Sequence, residues 1–166
     1  MKKIGLGVIY FILFLLFFSI FFPKKFLYYK LEHEIKKQDI IIAGEKVKEK
    51  LISLELSNGI VYAKSIEAAE FKKILFYPFI ILNLLQIEEL NSKISLLPKV
   101  NIQKLYLFYT PFYPIKMLIY GNSSFGKIKG EINLKTKKGF IDIYSPTPIH
   151  FMKKIAQGQY RYEFNY

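Results

Sequence analysis

The sequence predicts a mainly β protein: an N-terminal transmembrane helix plus a short amphipathic helix, then a curved, mostly antiparallel β-sheet with one or two short helices. Three observations carry this expectation. An uncharged apolar run stands between two lysine pairs at the N-terminus. A short segment of helical period follows it. From Asp39 onward, short stretches of apolar–polar alternation succeed one another between Gly, Pro and Asn punctuation, with no low-complexity linker. The chain accordingly divides into residues 1–23, an uncleaved transmembrane signal anchor; 24–38, an amphipathic linker helix; and 39–166, one β-rich domain.

The run from Ile4 to Phe22 carries no charge. At ~1.5 Å per residue its helix is about as long as a hydrocarbon core is thick. The run ends in Phe21-Phe22-Pro23, with no small-x-small cleavage site, so the segment is expected to be retained. Lys2 and Lys3 flank it on one side and Lys24 and Lys25 on the other, with Tyr28 and Tyr29 as interfacial aromatics. The two lysine pairs nearly cancel as an orientation signal. The short N-terminal tail resembles the n-region of a signal anchor. The expectation is a single-pass bacterial inner-membrane protein, N-terminus cytoplasmic and C-terminal domain periplasmic; the rival is a domain facing the cytoplasm.

In residues 24–38, Leu27, Tyr28, Leu31 and Ile35 fall on one helical face, and Glu32 and Lys36 stand four apart. That face lies on a membrane surface or packs on the domain, the second being favoured. His33 falls on the polar side.

The stretch KLISLELSNGIVYAK alternates Ile52, Leu54 and Leu56 with Ser53, Glu55 and Ser57. A two-residue hairpin at Asn58-Gly59 would set Leu56 opposite Val61 and Leu54 opposite Ala63. Pro78 suits the first turn of a short helix, followed by a strand around 85–97. KVNIQKLYLFYTPFYPIKMLIYGN reads as two strands joined at Thr110–Pro114. FGKIKGEINLKTKKGFIDIYS reads as a hairpin turning at Lys138-Gly139, with Leu134 opposite Ile143 and Lys135 opposite Asp142. Asn122-Ser123-Ser124 matches a glycosylation sequon but reads first as a turn. PTPIHFMKKIAQG is expected to form a short helix ending at Gly158, and QYRYEFNY a terminal strand.

Composition narrows the chemistry. There is no cysteine, which removes disulfides and zinc–thiolate sites. The net charge of +12 comes from lysine, with Arg161 the one arginine. Nucleic-acid binding leans on arginine forks, so a nucleic-acid partner is not expected. His33 and His150 have no ligand spacing. Glu67/Glu70 and Glu88-Glu89 lie beside apolar runs, as solvated faces do. Gly126 and Gly130 do not form a phosphate loop and instead relieve a crowded or bent strand. No catalytic, metal or cofactor residue is expected, and the protein is read as a non-enzyme.

Aromatic residues make up 17% of the chain, more than one buried sheet face needs. Leu105, Tyr106, Leu107, Phe108, Tyr109, Met117, Ile119, Ile128, Ile132 and Leu134 are the candidate groove or interface residues. Strands apolar on both faces require a packed helix, a partner subunit or bound acyl chains as cover.

The order of these pieces resembles the GspN-like proteins of type II secretion and, more distantly, the AsmA-like proteins of the bacterial envelope. The resemblance runs over the helix, ISLELSNGIVYAKSIEAAEF, ILNLLQIEELNSKI, LPKVNIQKLYL and GNSSFGKIKGEINL, most tellingly Gly126-x-Ile128-x-Gly130-x-Ile132-x-Leu134. It implies a curved periplasmic sheet and, for some AsmA-like relatives, a lipid-carrying groove. The expected function is an accessory or assembly component of a secretion or other cell-envelope machine, with the lipid bilayer and other envelope or secretion proteins as partners. The alternative is a lipid-binding or lipid-transfer protein that holds acyl chains in an apolar groove of the sheet.

Overall fold

The computed structural model describes residues 2–79, 81–94 and 100–166. Two helices lead the chain, α1 (Lys2–Phe21) and α2 (Lys24–Lys36). Eleven strands follow among the described residues: β1 (Ile40–Ala43), β2 (Lys46–Glu49), β3 (Leu54–Ala63), β4 (Ile66–Pro78), β5 (Asn83–Ser92), β6 (Asn101–Tyr109), β7 (Lys116–Ser123), β8 (Gly126–Asn133), β9 (Lys138–Tyr144), β10 (Lys153–Ala156) and β11 (Gln159–Asn165). They form one antiparallel sheet in the order β1-β3-β4-β5-β6-β7-β8-β9-β11-β10, with β2 continuing the β1 edge along β3. From β3 to β9, strands adjacent in sequence pair in space, the meander that short connections favour.

Cross-strand partners share a face, and the pairings therefore trace two sides. One side runs Leu54, Phe76, Leu85, Leu107 and Ile119 across five strands. A parallel row runs Leu56, Ile74, Ile87 and Leu105, and is resumed by Ile128, Ile143 and Tyr160 beyond Gly121. This apolar face carries two cores. The first gathers Leu54, Leu56, Phe71 and Ile74 under Tyr28 of α2. The second gathers Ile119, Ile128, Ile143 and Tyr160 under Ile149 and Met152, from the segment between β9 and β10.

The apolar face is kept continuous by a crease across four strands. Strict alternation would send Phe71 and Ile74, three apart, to opposite faces. Both belong to the same core. The same three-residue step separates Ile87 from Leu90, Ile102 from Leu105, and Leu56 from Gly59. At each step an exposed polar residue is the extra one: Asn58, Lys72, Glu89 and Gln103. Asn58 and Glu89 take up the step with φ of 56° and 52°. These residues lie opposite one another, so β3, β4 and β5 remain in register through the crease. β7 has no matching residue, and there the pairing itself slips, from Lys104 opposite Asn122 to Ile102 opposite Ser123. An extra residue of this kind bends a strand, and a row of them bends the sheet.

This crease accounts for the first departure from expectation. Asn58-Gly59 is not a hairpin turn: β3 runs through it, and Leu56 pairs with Ile74 and Val47 rather than Val61. The hairpin at 126–144 forms, but Asn133 pairs with Lys138 around a four-residue loop in place of a turn at Lys138-Gly139. Asn133 Oδ1 accepts hydrogen bonds from the backbone N–H groups of Lys135 (3.1 Å) and Thr136 (2.9 Å), and this local bonding sets the turn. Lys135 is therefore in the loop, not opposite Asp142. No helix begins at Pro78, which closes β4, and residues 153–156 form β10 instead of a helix, with Gly158 at φ +69° in the turn to β11. The strands at 101–109 and 116–123, the helix at 24–36 and the terminal strand are as expected.

The N-terminal expectation is corrected. α1 forms, but among the described residues no helix is long and apolar enough to cross a membrane. The expected transmembrane anchor and single pass through the inner membrane are thus overturned. The side chains of Lys2 and Lys3 lie outside the described residues.

Candidate functional site

Between α2 and the apolar face lies a half-open groove of about 440 Å³. The volume is within the ~300–1,000 Å³ of small-molecule sites. Its wall is Leu27, Tyr28, Leu31, Glu32 and Ile35 of α2, and its floor runs from Ile42 across Leu54, Leu56, Ile74, Phe76 and Leu85 to Leu107, Tyr109 and Met117. The wall residues recur every three or four positions, so one helical face supplies them all.

Three contacts hold α2 in place. The Lys24 ammonium, 1% exposed, donates to the carbonyls of Ile20 (3.1 Å) and Phe22 (3.2 Å). This closes the free carbonyl end of α1, where a cation is favoured. The Lys24 backbone N–H donates to Glu49 Oε1 of β2 at 3.3 Å, tying the start of α2 to the sheet edge. One turn on, the Tyr28 hydroxyl donates to Glu45 Oε1 at 2.7 Å. Glu45 interrupts the edge between β1 and β2 at the crease. Burial of Tyr28, reinforced by the hydrogen bond to Glu45, pushes its phenol well above the usual tyrosine value. The phenol therefore stays protonated and keeps its donor.

The expected groove residues separate by face. Leu107, Tyr109 and Met117 line the groove. Leu105, Ile119, Ile128 and Ile132 belong to the neighbouring core. Tyr106 and Phe108 point to the opposite side, where they stack 6.4 Å apart and Phe108 meets Tyr120 edge-on at 6.0 Å. Leu134 is in the β8–β9 loop, its N–H donating to the Ile115 carbonyl at 2.8 Å. Of the expected membrane-flanking residues, Lys24 is buried in the cap, Tyr28 sits beneath α2, and Lys25 and Tyr29 are exposed. Sequence reasoning placed Leu27, Tyr28, Leu31 and Ile35 on one face but did not connect them to Leu54, Phe76 and Leu85. The signal available was the shared apolar surplus of α2 and β3–β5.

Polar chemistry lies elsewhere. On the opposite face Asp142, 4% exposed, accepts from Arg161 Nε (2.7 Å) and Nη2 (2.8 Å) and from Gln159 (3.1 Å). The Arg161 guanidinium holds the Asp142 carboxyl below the usual carboxylate range and lies over the Phe140 ring, 4.2 Å from its centre. This is a structural clamp between β9 and β11. Glu70 and Glu67 pair with Lys93, and Glu89 with Lys72, as solvated ion pairs. Among the described residues no three His, Cys, Asp or Glu side chains are grouped to hold a metal ion. The groove is thus a surface for burying an apolar body. Comparison of the chain with protein-family models, with curated proteins and with solved structures finds no match.

Proposed function

We propose that this protein binds the acyl chain of a lipid in the groove between α2 and the sheet, as a binding or carrier protein and not as a catalyst. The observation that carries this reading is the lining: of the fifteen residues around the groove only Glu32 is charged and only Asn83 is an amide, the rest being aliphatic, Met, Phe or Tyr. An apolar body of matching length removes that surface from water at ~25 cal/mol per Å². A half-open trough spanning six strands and a helix suits a long flexible chain better than a compact ring.

The test is native mass spectrometry of the full chain after incubation with palmitoylglycerol, compared with Leu107→Trp, which fills the floor, and Leu31→Arg, which charges the wall at a site already 47% exposed. Expected is a bound lipid in the wild type and its loss in both variants. A wild type without adduct, or adducts unchanged in both variants, refutes the reading; the second result would assign binding to the exposed apolar side chains of α1.

A second reading, an accessory role in a larger secretion or envelope assembly, is favoured by the face opposite the groove. There Leu118 (38%) and Tyr120 (43%) are exposed beside Tyr106 and Phe108. Tyr120→Lys should release a stable partner if one docks there, and leave lipid binding intact.

A further inference from the structure

We propose that the groove selects amphiphiles whose head group donates hydrogen bonds, an alcohol, amide or amine, over fatty-acid carboxylates. The inference rests on the acyl-chain reading above and adds the class of head group.

It starts from a contrast in charge. The chain carries 25 Lys and Arg against 13 Asp and Glu. A groove placed at random on such a protein would meet lysines, yet no basic residue lines this one. Its one carboxylic acid is Glu32, on the α2 wall one turn beyond Tyr28. Glu32 is half-buried, and no ion pair holds its carboxylate among the described residues. The neighbouring Glu34, by contrast, is paired with Lys37 at 2.7 Å on the exposed side of the helix.

The remaining polar side chains of the lining are neutral and do not discriminate between head groups. Asn83 and Tyr109 are direct cross-strand partners at one end of the floor. Each can accept a hydrogen bond as well as donate one. The Tyr28 hydroxyl is already committed to Glu45. A carboxylate head would therefore find no cation and would face Glu32 across a low-polarity trough, where like charges are poorly screened. An ammonium or hydroxyl head finds an unpaired carboxylate as acceptor, and hydrogen bonds to a charged partner are the stronger kind.

The experiment uses the full chain at neutral pH and three ligands with the same sixteen-carbon chain: hexadecylamine, 1-palmitoylglycerol and palmitate. Each is titrated against N-phenyl-1-naphthylamine fluorescence, and signal that survives in Leu107→Trp is subtracted as binding outside the groove. Expected is displacement by the amine and the glycerol ester at roughly tenfold lower concentration than palmitate, the size of one charge-assisted bond. Glu32→Gln should narrow the gap between amine and palmitate, and Glu32→Lys should reverse it. The net charge of +12 works against the expected order, so attraction of anions to the whole molecule cannot produce it. Palmitate equal to or tighter than the other two in the wild type, or a ratio unmoved by both Glu32 variants, overturns the selectivity while leaving the acyl-chain reading intact. Failure of all three ligands to displace the probe overturns both.

Discussion

Tyr28→Phe tests how α2 is fastened over the groove. The change removes one oxygen and leaves the ring, 6% exposed, on Leu54, Leu56 and Phe71. Packing is thus held constant and only the 2.7 Å bond to Glu45 is lost. Hydrogen bonds to charged partners contribute ~1.5–3 kcal/mol. Glu45 is half-buried, and water replaces part of the bond, which brings the expected loss to about 1–2 kcal/mol. For a chain of this size that lowers Tm by about 3–6 °C. Urea denaturation of wild type, Tyr28→Phe, Glu45→Ala and the double variant closes a cycle, with a coupling of about 1–2 kcal/mol expected for a direct pair. Glu45→Gln, which keeps an acceptor, should cost less than Glu45→Ala. A coupling below about 0.3 kcal/mol, the scatter of independent sites, would show that the bond does not hold α2, whatever the single variants do.

Two further outcomes follow from the opposite face and the strand contacts. Asp142 has a folded pKa below its unfolded one because of Arg161, so its contribution is fully present above the unfolded value, ~3.9, and is lost as pH falls through the depressed folded value. Asp142→Asn should cost about 2 kcal/mol at neutral pH and flatten the stability profile on the acid side; an unchanged profile would discard the clamp. At Gly130, an added Cβ would lie 2.6 Å from the Phe140 carbonyl oxygen and 3.4 Å from Ile119 Cβ. Backbone on one side and core on the other leave no room to yield, so Gly130→Ala should destabilise by ~1–3 kcal/mol in thermal unfolding, and a neutral result would mean that β8 and β9 separate more easily than their pairing implies.

Where the sequence was legible, the signal was local. The helical face of Leu27, Tyr28, Leu31 and Ile35 needs only a 3.6-residue period, and α2 begins and ends within two residues of its expected bounds. The paired strands around Thr110–Pro114 are bounded by prolines that no strand interior accepts. Seven of the ten expected groove residues reach the apolar face, Leu105, Leu107 and Tyr109 among them because they share the two-residue period of one strand. Tyr106 and Phe108 share the composition but have the other parity, and aromatic content alone does not reveal which side faces the groove.

The misread turn at Asn58-Gly59 is more instructive. Leu-Ser-Asn-Gly, Phe-Lys-Lys-Ile, Ile-Glu-Glu-Leu and Ile-Gln-Lys-Leu each place two polar residues between two core positions. Taken singly, the first is a hairpin signal and the others are breaks in alternation. Aligned across β3–β6 they are one crease, and an Asn with φ of 56° serves a bend inside a strand as well as it serves a turn. Which use is made depends on what lies beside it, here the paired strands β4 on one side and β2 on the other.

The sequence by itself determined the β-rich class, the amphipathic face of α2 and the supply of apolar residues, because each depends on spacing along one element. Only the tertiary structure decided the registers, the crease and the seat of α2 above Leu54 and Phe76. Those depend on pairings between residues of different strands and of α2 with the sheet, which the periodicity within one element does not encode, and it is those pairings that turn scattered apolar side chains into a groove.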